Sequence, residues 1–261
     1  MPTASTADGT TIAYDSVGSG PPIVFVHGIT DDRSDWADQM SRFATDHRVV
    51  ALDLRGHGES GDAADHSALS MAFDVAAVVE AEQLDAPVVV GHSLGGAVVS
   101  VYAASAPVRA VVDVDQSLRF RDFAAALRPL DGQLRDPATF PGALAAIFDV
   151  MTGEMLDADT RVRLAARRAT ARQDVVLGVW DLVLSSTDEE LDATTDGVGA
   201  AITAPFLSLH GLDPGDDYEA WLAERIGGTV TVELWPEHGH YLHLVDPDRF
   251  EERVRTFLSQ T

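Results

Sequence analysis

The sequence predicts an α/β fold built on a mostly parallel, doubly wound sheet. From residue 1 to residue 116, short apolar runs rich in β-branched residues alternate with segments of helical spacing. Continuous apolar runs of this length are typical of parallel strands buried on both faces. Strict alternation with helices implies right-handed crossovers between those strands. The 261 residues are enough for one large domain of this class.

The N-terminal half carries most of the predicted sheet. Residues Thr3 to Val17 alternate around Asp8-Gly9, which predicts an antiparallel hairpin at the sheet edge. Buried strands are predicted at 23–26, 49–52, 88–90 and 108–114. Helical spacing covers 34–44, with one apolar side made by Trp36, Met40 and Phe43. A second helix is predicted from Ser70, its expected cap, to Leu84, with a buried stripe of Phe73, Ala76, Ala77, Val79 and Leu84.

The second half interrupts this alternation with a long helical block. No strand is predicted from Ser117 to Gly199, and helical segments are predicted at 120–127, 141–151, 159–171 and 174–184. We therefore expect a core of residues 1–116 and 200–261, with a helical lid of residues 117–199 inserted over the carboxyl ends of the strands. The sheet then resumes with strands at 205–211 and 229–234 and helices at 218–226 and 247–258.

One pentapeptide predicts a catalytic nucleophile. Gly91-His92-Ser93-Leu94-Gly95 matches G-x-S-x-G and joins the strand at 88–90 to an apolar helix. Such a turn is sharp, so its middle residue is strained and the flanking glycines allow strand and helix to approach closely. This geometry presents the Ser93 hydroxyl at a helix N-terminus.

A serine hydroxyl needs a base within hydrogen-bonding reach. His240 follows the last predicted strand at the same sheet edge as Ser93, in the chain order that G-x-S-x-G proteins require. The neighbouring His238 and His243 are expected to pack or to line the pocket. A metal site is disfavoured because no carboxylate stands at ligand spacing, and we expect no cofactor.

Two carboxylates are candidates for orienting that base. Asp115 ends the strand at 108–114, and Asp213 follows the strand at 205–211, so both stand at the correct edge. Asp113 shares the face of Asp115 but lies deeper, where it needs a partner that the sequence does not identify. The oxyanion is expected to accept hydrogen bonds from the backbone N–H groups of Leu94 and Ile29.

Composition and charge narrow the classes of partner. Eighteen basic residues, all arginine, face 42 acidic ones, for a net charge of −24. This balance argues against nucleic acid and anionic membranes as partners and favours a neutral small-molecule substrate. There is no cysteine, which excludes a thiol nucleophile and disulfides. No stretch is apolar for the length of a membrane span, and the N-terminus has no signal-peptide pattern, so a cytoplasmic protein is expected.

Four motifs together resemble those of the α/β-hydrolase superfamily almost end to end. Pro22 to Gly28 resembles its oxyanion strand, and Asp53 to Ser60 resembles its D-x-R-G-x-G-x-S loop. The role of that loop in the family is mainly structural, so His57 is a poor catalytic candidate. Gly91 to Gly96 resembles its nucleophile elbow, and Gly239 to Pro247 its terminal histidine segment, with Val245 where glutamate is usual. The resemblance implies an α/β-hydrolase fold.

The resemblance also bears on the acid and on the reaction. The family's acid usually falls three residues after the glycine of an H-G-x-x-D motif, whereas Asp213 falls only two after Gly211. Some members, haloalkane dehalogenases among them, take the acid from the place that Asp115 occupies, so Asp115 is favoured over Asp213. Ser93 excludes the aspartate-nucleophile mechanism of dehalogenases and epoxide hydrolases.

The sequence thus predicts a serine hydrolase that cleaves an ester or lactone of a small to medium, mainly apolar substrate. The alternatives are cofactor-free lyase, carbon–carbon hydrolase or perhydrolase chemistry on the same triad, and a slow-turnover ligand sensor. Candidate pocket residues flank the catalytic turns or belong to the predicted lid: His27, His92, Phe120, Phe123, Phe148, Met151 and Trp180. The sequence does not indicate an oligomeric state.

Overall fold

A computed structural model describes all 261 residues, and its centre is an eight-stranded sheet. The strands are, in spatial order, β1 (Thr3–Ser5), β2 (Thr11–Gly18), β4 (Arg48–Leu52), β3 (Pro22–Val26), β5 (Val88–His92), β6 (Ala110–Val114), β7 (Phe206–His210) and β8 (Val230–Leu234). The pairs β1–β2 and β2–β4 are antiparallel, and all other pairs are parallel. The predicted fold class is confirmed.

The two faces of the sheet bury two separate apolar layers. In β3, Val24 and Val26 face one layer, whereas Ile23 and Phe25 face the other, because successive side chains of a strand alternate. Helices α1 (Ala37–Phe43) and α12 (Pro247–Leu258) pack on the second face through residues such as Phe43. Helices α2 (Ala68–Ala81), α3 (Leu94–Ala103) and α10 (Tyr218–Ala223) cover the first.

Helix α2 differs from its prediction in register. Its cap is Ser67 rather than Ser70, and Phe73 is 57% exposed. Asp74 instead faces inward, where its Oδ1 accepts a 2.7 Å hydrogen bond from Nη2 of the buried Arg55. The buried apolar residues Met71, Ala72, Val75 and Val78 also stand at helical spacing, so the apolar pattern of this segment is compatible with more than one stripe.

Six helices separate β6 from β7, where the sequence predicted four. They are α4 (Phe120–Leu127), α5 (Asp131–Arg135), α6 (Phe140–Met151), α7 (Ala158–Ala169), α8 (Gln173–Ser185) and α9 (Asp188–Ala201). We call residues 117–201 the helical insertion. Its role as a lid stays a prediction.

Arginines of α7 join the insertion to the segment after β3. Arg163 and Arg167 both pair with the buried Asp35, and Arg167 also pairs with Asp32 at 2.9 Å. A short helix, α11 (Leu242–Val245), precedes α12. None of the helices has the length and apolarity that a bilayer crossing requires.

Candidate active site

Ser93 occupies the strained turn between β5 and α3. Its backbone angles, φ 51° and ψ −123°, are rarely adopted by residues with a side chain. The flanking glycines are required sterically, since a Cβ on Gly91 would overlap the carbonyl of Gly95, and one on Gly95 would overlap the carbonyl of Val26. The turn therefore places Ser93 at the carboxyl edge of the sheet, where α3 begins.

His240 lies on the loop between β8 and α11, buried beside the end of β6. Its Nδ1 is 2.6 Å from Oδ2 of Asp115, and both side chains are almost fully buried. The backbone N–H of His240 donates to the carbonyl of Met151 at 3.0 Å, so the end of α6 holds this loop. The Nε2 atom of His240 has no hydrogen-bond partner, and no hydrogen bond joins it to Ser93.

The carboxylate of Asp115 is fixed on its other side as well. Its Oδ1 accepts backbone N–H bonds from Gly211 at 2.7 Å and Leu212 at 3.0 Å. Asp213, the alternative acid, is exposed, and its Oδ1 accepts from the backbone N–H of Gly215. Of the two carboxylates that the sequence left open, the structure brings Asp115 to His240 and leaves Asp213 at the rim of the cavity.

The two backbone N–H groups that the sequence proposes as oxyanion donors belong to Leu94, which follows Ser93, and to Ile29, in the turn after β3. A Cβ on Gly28 would stand 3.3 Å from Cβ of Ser93, so the turn after β3 packs directly against the serine. The N–H of Ile29, next in that turn, donates to no other group. Leu94 is the first residue of α3, and the N–H of a first helical residue has no intrahelical acceptor. Both groups are therefore available to a ligand.

These groups border one cavity of about 230 Å³ beneath the helical insertion. Ser93, Asp115, His240, Ile29 and Leu94 all contribute to its wall. The insertion supplies the larger apolar side chains, namely Phe120, Phe123, Phe148, Met151, Val179, Trp180, Leu182 and Val183. Five of the predicted pocket residues thus reach the cavity (Phe120, Phe123, Phe148, Met151 and Trp180).

His27 and His92, in contrast, do not line this cavity. His27 is buried and bonds to backbone: its Nδ1 lies 2.7 Å from the carbonyl of Gly28, and its Nε2 accepts from the N–H of Leu54 at 3.0 Å. His92 Nε2 lies 2.9 Å from the carbonyl oxygen of His240. Burial, with the neighbouring His240, holds the pKa of His92 well below its ordinary value. Both side chains thus contact backbone groups of neighbouring loops instead of the cavity.

A second buried polar chain, which the sequence analysis did not identify, ends at Asp115. His210 lines the cavity, with its Nδ1 3.9 Å from Oδ1 of Asp115 and its Nε2 2.8 Å from Oγ of Ser208. The same Oγ lies 2.9 Å from Oδ2 of Asp113, so Ser208 is the missing partner of that buried carboxyl group. In the sequence, the signal for His210 is its position at the end of a predicted strand, at the sheet edge where Ser93 and His240 lie.

The remaining histidines do not assemble a metal site. No group of three His, Cys, Asp or Glu side chains is arranged to hold an ion. His243 is fully buried against Trp36, and burial lowers its pKa to about 3. Burial likewise lowers the pKa of His57 to about 3. His238 packs on Trp235, and its Nε2 lies 3.8 Å from Asp246.

The fold and the arrangement at its carboxyl edge are those of an α/β hydrolase. A sequence profile of the alpha/beta hydrolase family matches residues 23–253, and the chain belongs to that family. A non-heme chloroperoxidase of Burkholderia pyrrocinia is 32% identical over 99% of both chains. A non-heme chloroperoxidase of Streptomyces lividans is 44% identical, but the match spans only 41% of this chain and 40% of that protein.

Solved structures repeat the fold. An esterase from Exiguobacterium antarcticum superposes with a TM-score of 0.81 over 98% of each chain, at 20% identity, a likeness in fold alone. Est816, an N-acyl homoserine lactone degrading enzyme, superposes with a TM-score of 0.75 at 26% identity, over 98% of this chain and 100% of its own. The chain is thus an α/β hydrolase with esterase-like and haloperoxidase-like relatives.

Proposed function

We propose that this protein is a serine esterase in which Ser93 is the nucleophile, His240 the general base and Asp115 the acid that orients the base. The observation that carries the proposal is the 2.6 Å contact between Asp115 and Nδ1 of His240, which leaves Nε2 without a partner in the wall that also contains Ser93. A carboxylate on Nδ1 selects the tautomer whose Nε2 accepts a proton and stabilises the imidazolium that forms.

The reaction follows from these roles. His240 Nε2 takes the Ser93 proton as Oγ attacks the carbonyl carbon, and the resulting oxyanion accepts hydrogen bonds from the N–H groups of Ile29 and Leu94. Collapse of this intermediate breaks the ester C–O bond, and His240 returns its proton to the departing alkoxide. A water molecule, deprotonated by His240, then attacks the acyl-enzyme, which releases the carboxylic acid and restores the Ser93 hydroxyl.

The cavity favours a small to medium ester or lactone that is mainly apolar and neutral. Aromatic and aliphatic side chains of the helical insertion make most of its wall. Polar residues are fewer: Ser117, Arg119 and Asp122 belong to the insertion, and the others lie near the sheet edge. Such a division suits an apolar acyl group on the insertion side and a polar ester group at Ser93. In this proposal the helical insertion is a lid that determines which esters fit.

Three variants test the assignment against p-nitrophenyl esters of increasing chain length. Ser93→Ala should abolish turnover and labelling by a fluorophosphonate probe. Asp115→Asn should lower kcat by about 10⁴, by analogy with serine-protease triads, and Asp213→Asn, at the cavity rim, should leave kcat within about threefold of the original. Hydrolysis that survives Ser93→Ala contradicts the nucleophile, and a large loss in Asp213→Asn alone contradicts the acid. A labelled Ser93 adduct that forms without multiple turnover would instead indicate a ligand sensor.

A second activity, perhydrolysis, is favoured by the full-length similarity to the Burkholderia pyrrocinia chloroperoxidase. In that reaction hydrogen peroxide replaces water as the attacking group on the acyl-enzyme. The products are a peracid and free Ser93, and the peracid oxidises a halide ion to hypohalous acid while it returns to the carboxylic acid. Bromination of a reporter phenol in acetate and peroxide, lost in Ser93→Ala, supports this activity. Bromination that persists without Ser93 excludes it.

A lactone is the second substrate type to assay. Est816, which is similar over the whole chain, degrades N-acyl homoserine lactones, and a lactone carbonyl meets the same catalytic groups as a linear ester. Hydrolysis of γ-lactones with and without an N-acyl chain, compared with phenyl acetate, ranks the two substrate types. Equal kcat/KM for all of them would contradict selection by the apolar wall.

A further inference from the structure

The buried chain next to the catalytic carboxylate contains an acid that the mechanism does not use. Asp113 is fully buried in β6, two residues before Asp115, which follows the end of the strand with φ 55°. One of its oxygens lies 2.9 Å from Ser208 Oγ, and the other, Oδ1, has no hydrogen-bond partner. Gly96 of α3 closes that side, since a Cβ there would overlap Oδ1. An ionised carboxylate with one oxygen buried and unpartnered is costly, whereas a neutral carboxyl group tolerates the same surroundings.

The direction of the hydrogen bonds depends on that charge. If Asp113 is neutral, its proton is donated to Ser208 Oγ, and the serine proton is donated to Nε2 of His210, so the His210 ring carries its own proton on Nδ1. If Asp113 is ionised, Ser208 donates to it, and Nε2–H of His210 donates to Ser208. In that case the lone pair of Nδ1 faces Asp115. Each arrangement satisfies the 2.9 Å and 2.8 Å contacts.

The position of Asp115 distinguishes the two arrangements. His210 Nδ1 lies 3.9 Å from Asp115 Oδ1, too long for a hydrogen bond but close enough for the sign of the facing group to matter in this buried site. An N–H at that position attracts the carboxylate, whereas a lone pair repels it. The same oxygen already accepts hydrogen bonds from the N–H groups of Gly211 and Leu212. An Nδ1–H of His210 therefore places a third N–H dipole near Oδ1 and leaves Oδ2 for His240.

We propose that Asp113, Ser208 and His210 form a positioning chain for Asp115, in which a neutral Asp113 fixes, through the Ser208 hydroxyl, the His210 tautomer whose Nδ1–H faces the catalytic carboxylate. The inference rests on the proposed role of Asp115 as the acid. None of the three residues of the chain contacts the reacting atoms in this mechanism. They act by keeping the Asp115 carboxylate oriented toward His240.

The other groups around the chain agree with this arrangement. Burial raises the pKa of Asp113 well above its ordinary value, and the nearby Asp115 adds to the effect. Ser208 opposes it, as does the N–H of Gln116, which lies near the carboxyl group but outside hydrogen-bond geometry. Burial lowers the pKa of His210, while Asp115 and Asp213 act against the shift. Tyr218 of α10 packs edge-on against His210, with its hydroxyl accepting from the N–H of Leu118 at 2.9 Å. A neutral imidazole next to a neutral acid fits these surroundings.

The test reads the His210 tautomer directly, by ¹⁵N chemical shifts of histidine-labelled protein, with the signal assigned from His210→Gln. We expect Nδ1–H in the unaltered protein and in Asp113→Asn, because an asparagine NH₂ donates to Ser208 as a neutral acid does. Ser208→Ala should lose that tautomer preference. It should also lower kcat about tenfold with an unchanged KM, since only the catalytic groups are affected. Asp113→Asn should retain the original kcat.

The matched control is Ser100→Ala, a buried serine of α3 whose hydroxyl donates to the carbonyl of Gly96, outside the chain. It should change neither the His210 signal nor kcat. An Nε2–H tautomer in the unaltered protein overturns the inference, as does a tautomer change in Asp113→Asn. If Asp115→Asn remains active, the proposed function itself fails. If Asp115→Asn is inactive while His210 carries its proton on Nε2, only this inference fails.

Discussion

The strained backbone of Ser93 gives a stability prediction that is independent of catalysis. At φ 51° and ψ −123°, a residue with a Cβ costs about 1–3 kcal/mol, whereas glycine adopts these angles freely. Glycine in turn loses about 0.5–1 kcal/mol more conformational entropy on folding than alanine. Both Ser93→Ala and Ser93→Gly remove the hydroxyl. We therefore expect Ser93→Gly to be the more stable of the two by about 1 kcal/mol, or about 3 °C in Tm for a protein of this size.

Ser100 provides the control for that comparison. It lies within α3, where alanine is favoured over glycine by about 1 kcal/mol, so Ser100→Ala should be more stable than Ser100→Gly. The difference in the free energy of unfolding between the alanine and glycine variants should thus have opposite signs at positions 93 and 100. Thermal and urea unfolding of the four variants measures it. A Ser93→Gly protein that is less stable than Ser93→Ala would refute the view that strain is stored at this turn.

Three other predictions concern a buried acid, the helical insertion and the cavity. Because burial raises the pKa of Asp113, the folded chain keeps a proton that the unfolded chain releases above about pH 4. The unaltered protein should therefore lose about 1.4 kcal/mol of stability per pH unit relative to Asp113→Asn as the pH rises through this window, and a pH-independent Tm difference contradicts this. Arg167→Ala removes a partner of the buried Asp35 and should lower the free energy of unfolding in urea by about 1–3 kcal/mol. Arg172→Ala, which breaks exposed pairs with Asp62 and Asp174, should change it by less than about 1 kcal/mol, and equal losses would show that α7 does not depend on Asp35. Phe123→Ala enlarges the cavity and should raise kcat/KM for p-nitrophenyl octanoate relative to the acetate by about tenfold, whereas an unchanged ratio would place the acyl group elsewhere.

The sequence predicts the sheet and the sharp turn at Ser93 well because their signals are local. Apolar runs define β3 to β7, and the glycines at positions 91 and 95 are needed for steric reasons that hold in any chain with this turn. For helix α2 the sequence favours the wrong stripe, because apolar residues stand at helical spacing on more than one side of the segment. The inward-facing Asp74 pairs with Arg55. An ion pair between residues 19 positions apart leaves no periodic signal.

The acid and the insertion depend on tertiary packing. Asp115 and Asp213 follow adjacent strands of one edge, and only the path of the loop that carries His240 determines which carboxylate it meets. Helix α5 has five residues, too few for a periodic pattern. Helix α9 is rich in threonine, aspartate and glycine, and its clearest sequence signal is the capping box of Thr187 and Glu190.

The carboxylate that contacts His240 follows β6, which leaves the loop after β7 open to sequence changes. Because Asp115 comes from the end of β6, the loop after β7 contributes to it only the backbone N–H groups of Gly211 and Leu212. In the proposed mechanism residues 213–217 carry no catalytic side chain, yet Asp213 and Pro214 form part of the cavity wall. This short stretch can be lengthened or randomised to alter substrate selectivity while the proposed triad is left intact, which makes it a suitable starting point for directed evolution of the enzyme.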